Sequence, residues 1–301
     1  MKASMPRTTT YTAGLVLTAG IVIIATASIL IRYAQLANVP SLSIAAIRLG
    51  ISASVLSIIV GVRAAQWPRG MTKRHAWLAL LSGTCLALHF ATWITSLQYT
   101  SVASSAALVA TTPLWVGIVA RVMFKEVLNR YRIVGMALTI AGSIGIAISD
   151  HSASVGIHPV LGNGLAIIGA ISGSAYFLLG RGLRNEVPLL HYIWMTYGAA
   201  ALVLLAAAIA FGYRTLPNTS TTWLVLAGLA FGPQLLGHTS INYAMRHLSA
   251  LLVTIALLGE PVGSAILAFA LFHEQVAVLQ IIGLFGLLVG IAVTAIGERT
   301  Q

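Results

Sequence analysis

An all-α membrane protein is the fold class this sequence predicts, with ten transmembrane helices in two inverted five-helix repeats around a central cavity. Three observations carry the prediction: a composition too apolar for water, ten apolar runs of bilayer length, and a pattern written twice. Hydrophobic residues make up 58% of the chain and charged ones 8%, with mean hydropathy +0.93. Soluble domains carry about 25% charged residues. The formal charge of +11 does not mark a nucleic-acid binder, because the basic residues fall in short loops between apolar runs. Cys85 is the single cysteine and lies inside an apolar run, so a disulfide frame and a cysteine-based metal site are both ruled out.

The runs are 13–35, 42–62, 76–97, 101–123, 131–149, 158–182, 189–212, 222–245, 249–272 and 276–297. Runs of about 20 residues match a hydrocarbon core roughly 30 Å thick. The first follows a basic flank (Lys2, Arg7), as a signal peptide would. It is too long for that and lacks a small-residue cleavage site, so it reads as an uncleaved span. The breaks carry turn chemistry or charge: Asn38-Val39-Pro40, Trp67-Pro68-Arg69-Gly70, Asn129-Arg130, Asp150-His151-Ser152, Glu186-Val187-Pro188 and Leu216-Pro217-Asn218. With the N-terminus inside, fourteen basic residues fall on the inner side and two, Arg32 and Arg214, on the outer. That bias predicts a multi-pass protein with both termini cytoplasmic.

An offset of 148 residues brings Pro40 onto Pro188, Gly50 onto Gly198, Pro113 onto Pro261, Phe124 onto Phe272, Glu126 onto Glu274 and Gly142 onto Gly290. The chain therefore reads as one unit duplicated, residues 1–149 and 150–301. Five spans per copy return the chain on the opposite side, so the second copy enters the membrane upside down.

The repeated module, Pro113…Phe124-x-Glu126…Gly135 and Pro261…Phe272-x-Glu274…Gly283, resembles the EamA domain of the drug/metabolite transporter superfamily over essentially the whole chain. Within that superfamily the chain is most similar to bacterial ten-span exporters of the YddG type. The resemblance implies a secondary transporter in the bacterial inner membrane that exports amino acids, including aromatic ones. The second copy departs from the first in having Glu260-Pro261 where the first has Thr112-Pro113. A transporter of other metabolites or of drugs is the alternative, followed by a non-transporting membrane receptor or an intramembrane enzyme. No G-x-x-x-x-G-K-[ST] loop is present, so ATP hydrolysis by this chain does not drive transport, and no cofactor is implied. Neither H-E-x-x-H nor G-x-S-x-G occurs, so an intramembrane enzyme finds no support.

Polar residues deep inside spans are the candidate substrate site, because burying them in lipid is costly. Arg48 lies eight residues past Pro40, about 12 Å of helix from the outer end. It either attracts a substrate carboxylate, or snorkels or pairs with Glu260. Glu260, the one acid well inside a span, would bind a substrate amine, carry a proton, or serve as a structural partner. His89 and Trp93 are one turn apart on the third span, and Gln234, His238 and Asn242 form a stripe along the eighth. Trp115 and Tyr176 add an aromatic wall suited to an amphipathic solute. A metal site is not expected without thiolates or carboxylates nearby. Pro113 and Pro261 would be bend points of the fourth and ninth spans. Glu126 and Glu274, at span ends, suit helix N-termini. Small residues form packing faces at Gly286-x-x-x-Gly290, Gly169-x-x-x-Gly173, and Ala137, Ala141 and Gly145. A homodimer through spans five and ten and a monomer both remain open.

Overall fold

The computed structural model describes residues 7–63, 71–124, 129–152, 157–213, 217–248, 253 and 256–299, and the described secondary structure is helical. Helices α1 (Arg7–Ala25) and α2 (Ala27–Leu36) form the first span, α3 (Ser41–Arg63) the second and α4 (Lys73–Tyr99) the third. The fourth is α5 (Val102–Val109) with α6 (Thr112–Phe124), and the fifth is α7 (Arg130–Ser152). The second copy opens with α8 (Pro159–Glu186) and α9 (Leu189–Ala210). Its eighth span is α10 (Ser220–Leu229), a π-helical segment (Ala230–His238) and α11 (Thr239–His247). Helices α12 (Gly259–Phe272) and α13 (Val278–Arg299) complete the ninth and tenth. Eight of these stretches are long and apolar enough to cross a bilayer, and Gly259–Phe272 and Val278–Val293 are shorter apolar helices. The turn at Asn38 is visible in its left-handed φ of 59°.

The helices pair as the duplication requires. The fifth span packs on the tenth, the second on the seventh and the fourth on the ninth, while the third packs on the sixth and the eighth on the first. Exchanging span n with span n + 5 maps this set onto itself. The pairing thus has two-fold character, and each repeat buries its apolar faces largely against the other.

The fifth and tenth spans meet at their backbones. A Cβ added to Gly142 would lie 2.5 Å from the Gly283 carbonyl oxygen, and one on Gly290 would lie 2.5 Å from the Thr139 nitrogen. Gly290 was expected on this face, but Ala137 and Ala141 are exposed and Gly142 takes their place. Residue size marks which positions can approach closely; the rotation of the helix decides which of them do.

Among the described residues, four spans are interrupted or redirected. The fourth breaks at Ala110–Thr111 and the ninth just before Gly259, at positions matched by the repeat offset. Pro113 and Pro261 therefore lie in the first turn of the helix that follows each break, where a missing N–H costs little. They do not kink a continuous helix. The hydroxyl of Thr112 donates to the carbonyl of Val109 at 2.8 Å, which bonds an oxygen that Pro113 cannot reach. The first span breaks at Thr26, and Ser264 of the ninth span donates to the Ala25 carbonyl there at 3.0 Å. The eighth contains the π-helical segment with Pro233 inside it.

Candidate functional site

Pro40 ends the first turn and α3 starts at Ser41, which carries Arg48 inward until it is fully buried. Its guanidinium does not snorkel, and among the described residues it meets no acid. Nε donates to Oε1 of Gln234, in the other repeat, at 2.8 Å. Cζ lies 4.2 Å above the Phe90 ring and 5.9 Å from that of Trp93. Nη1 and Nη2 have no hydrogen-bond partner among the described residues. Glu260 is half-buried and acts on Arg48 electrostatically without an ion pair. Among the described residues, carboxylates pair as Arg32–Glu274, Arg74–Glu186 and, with a protonated imidazole, His75–Glu186.

Magnitudes show how unusual Arg48 is. A desolvated cation over an aromatic ring gains about 2 kcal/mol. Removing a cation from water costs several kcal/mol, and each buried donor left unbonded costs about 1–3 kcal/mol. Stacking on Phe90 does not offset that sum. The arrangement is suited to an anion.

Gln234 and His238 come from the π-helical segment. A π turn holds an extra residue, so it changes the direction in which the following side chains point. The Ser52 hydroxyl, one turn beyond Arg48, donates to the Ala230 carbonyl where the segment begins, at 3.2 Å. His238 then meets the Phe90 ring edge-on, centroids 5.5 Å apart. His89 faces the sixth span, where its Nδ1 donates to the Gly169 carbonyl at 2.8 Å. A carbonyl only accepts, so Nδ1 carries a proton and Nε2 is the free nitrogen. The Trp93 ring stacks beside His89 at 5.9 Å.

The structure thus brings together Arg48, His89, Trp93, Gln234 and His238, with Glu260 within electrostatic range. Tyr176 and Asn242 form a separate buried pair, the Asn242 amide donating to the Tyr176 hydroxyl at 3.2 Å. Trp115 stands at the break of the fourth span, where its Nε1 donates to Thr111 at 3.1 Å. Sequence reasoning missed Phe90, an ordinary core residue by type, and the contribution of Tyr197, which acts on Arg48 from the seventh span. An apolar surface concavity of about 900 Å³ beside Ile157, His158 and Ile168 touches none of these residues.

The expected outer end carries an ion pair. Glu274 accepts from the Val102 backbone nitrogen at 3.0 Å and pairs with Arg32 at 3.3 Å. It does serve a helix N-terminus as expected, but that of α5 rather than the helix after it. Glu126 lies outside the described residues.

Spans of this number with a buried polar site at the seam of two repeats are the build of a multi-pass membrane transporter. Residues 12–148 and 160–296 each match the EamA-like transporter family, and the chain belongs to that family. An uncharacterized transporter of Bacillus subtilis, YyaM, is 23% identical over 257 residues, 83% of this chain and 82% of that one. One solved crystal structure shares the fold at TM-score 0.65 and 19% identity, over 97% of this chain and 99% of that chain.

Proposed function

We propose that this transporter is a secondary exporter carrying small amphipathic metabolites, above all amino acids including aromatic ones, across a bacterial inner membrane by alternating access. One observation carries the reading: Arg48 of the first repeat meets Gln234 of the second at 2.8 Å while its Nη atoms stay unpartnered. A site shared across the seam is remade whenever the repeats rock against each other. Phe90 and Trp93 supply a wall for an apolar side chain. The breaks before Pro113 and Pro261 would act as pivots. The loop charges support cytoplasmic termini. A cationic drug, the second reading, is disfavoured because Arg48 would repel it.

Liposomes containing only the purified protein and labelled phenylalanine, leucine or a cationic dye test this. Amino-acid efflux is expected, and Arg48→Ala or His89→Ala should lower it about tenfold or more in monodisperse protein. Dye transport without amino-acid transport, or full activity in both variants, overturns the reading.

A further inference from the structure

Most of the unpartnered polar atoms around Arg48 are donors, with His89 Nε2 an acceptor beside them. Arg48 Nη1 and Nη2 and Trp93 Nε1 are buried without partners among the described residues. None of the three can accept a hydrogen bond. Gln234 commits its Oε1 to Arg48 Nε, and its Nε2 is a further donor without a partner there. The Tyr197 hydroxyl lies beside Thr239 and Gln234 without closing a hydrogen bond of good geometry. A ligand that satisfies this cluster must bring acceptors.

Its charge follows from what surrounds it. Arg48 is the one arginine or lysine in the cluster among the described residues, whereas a phosphate group is usually met by several basic side chains. A protonated amine or a quaternary ammonium offers no acceptor to these donors and would be repelled by Arg48. With Nε held by Gln234, the end of the guanidinium bearing Nη1 and Nη2 is the fork a carboxylate meets with two parallel bonds. Trp93 Nε1 offers a third donor nearby, its ring centred 5.9 Å from Cζ. Phe90 covers one guanidinium face, so the carboxylate arrives at the edge, between aromatic walls. Glu260 makes no ion pair with Arg48, so the fork is not already filled by an acid among the described residues.

We infer, resting on the transporter reading above, that the site reads the carboxylate and that the α-amine is dispensable. Aromatic monocarboxylates without an amine are then ligands alongside the aromatic amino acids. Arg48 and Trp93 are the residues that set this preference.

The test is binding to the full purified chain, by calorimetry and thermal shift, of L-phenylalanine, 3-phenylpropionate, L-phenylalaninamide and phenethylamine. The two carboxylates should bind within about threefold of each other, and the amide and amine about tenfold or more weaker, as the loss of a charge-assisted hydrogen bond predicts. Trp93→Phe keeps a ring but removes the donor, and should weaken both carboxylates about fivefold. Arg48→Lys keeps the charge but removes the fork, and should weaken them about tenfold or more. Equal binding of phenylalanine and its amide, or carboxylate binding indifferent to both variants, overturns the inference and leaves the transporter reading standing. No binding of any probe, together with no phenylalanine efflux from liposomes, removes both.

Discussion

The third and sixth spans, and the eighth and first, are the same helix pair by sequence repetition, yet they are packed in opposite senses. In the third–sixth pair the bulk is on the third span. His89 lies against the sixth, where a Cβ on Gly173 would come within 3.0 Å of its Nδ1, and both helices run unbroken. The repeat offset puts Gly237 in the place of His89, and in that pair the bulk lies on the first span. A Cβ on Gly237 would fall 2.4 Å from Ile24 Cγ1. Both of those helices are interrupted, one at Thr26 and one by the π-helical segment. With a glycine at the contact, His238, one residue on, is turned toward Phe90. One copy of the pair stays straight and lends His89, Phe90 and Trp93 to the cluster, and the other is interrupted and lends Gln234 and His238.

This contrast can be broken at several points. Deleting Gly232 should return the π-helical segment to α geometry and rotate Gln234 away from Arg48. Transport should fall about a hundredfold, the loss expected when a buried charge-assisted bond goes, while circular dichroism and monodispersity hold. Retained transport would show that the π geometry is incidental to the site. In the straight pair, Gly173→Val should overpack the seat of His89 and lower stability by about 1–3 kcal/mol in thermal or denaturant unfolding. In the interrupted pair, Ser264→Ala removes the hydroxyl that bonds the Ala25 carbonyl, and a loss of about 1 kcal/mol is expected. A neutral result would mean that the break at Thr26 needs no brace.

The smallest effect belongs to the expected inner end of the third–sixth pair. There His75 Nε2 lies 2.7 Å from Glu186, and this hydrogen bond, with a lesser contribution from Arg74, holds the exposed carboxyl below its ordinary range. A depressed carboxylate pKa stabilises the fold above the unfolded-state value of about 4.3. That contribution is lost as pH falls through the lower folded-state value. Unfolding midpoints of wild type and Glu186→Gln should therefore differ slightly at neutral pH and converge in acid. A gap that widens on acidification would reverse the assignment.

Much of this architecture was legible in residues. Pro40 and Pro188 marked turns, and the matched pairs around Pro113 and Pro261 marked the module. Arg48, His89, Trp93, Gln234 and His238 declared themselves as polar or amphipathic groups where lipid would penalise them. Phe90 did not, because a phenylalanine in an apolar helix carries no sign of the cation it will support. Nor did Trp115, Tyr176 and Asn242 reveal that they would bond near the fourth-span break or to each other. Their depth was readable; their facing was not.

The sequence by itself determined a membrane protein built from one five-span unit used twice, because span length, apolarity and loop charge are local properties that each stretch expresses alone. Only the tertiary structure decided that Arg48 meets Gln234 rather than Glu260, that Glu274 caps a helix far from it in sequence, and which copy of a duplicated pair stays straight. Those outcomes turn on which side chains compete for one volume. Arg48 and Gln234 stand 186 residues apart, so neither neighbourhood alone contains the answer.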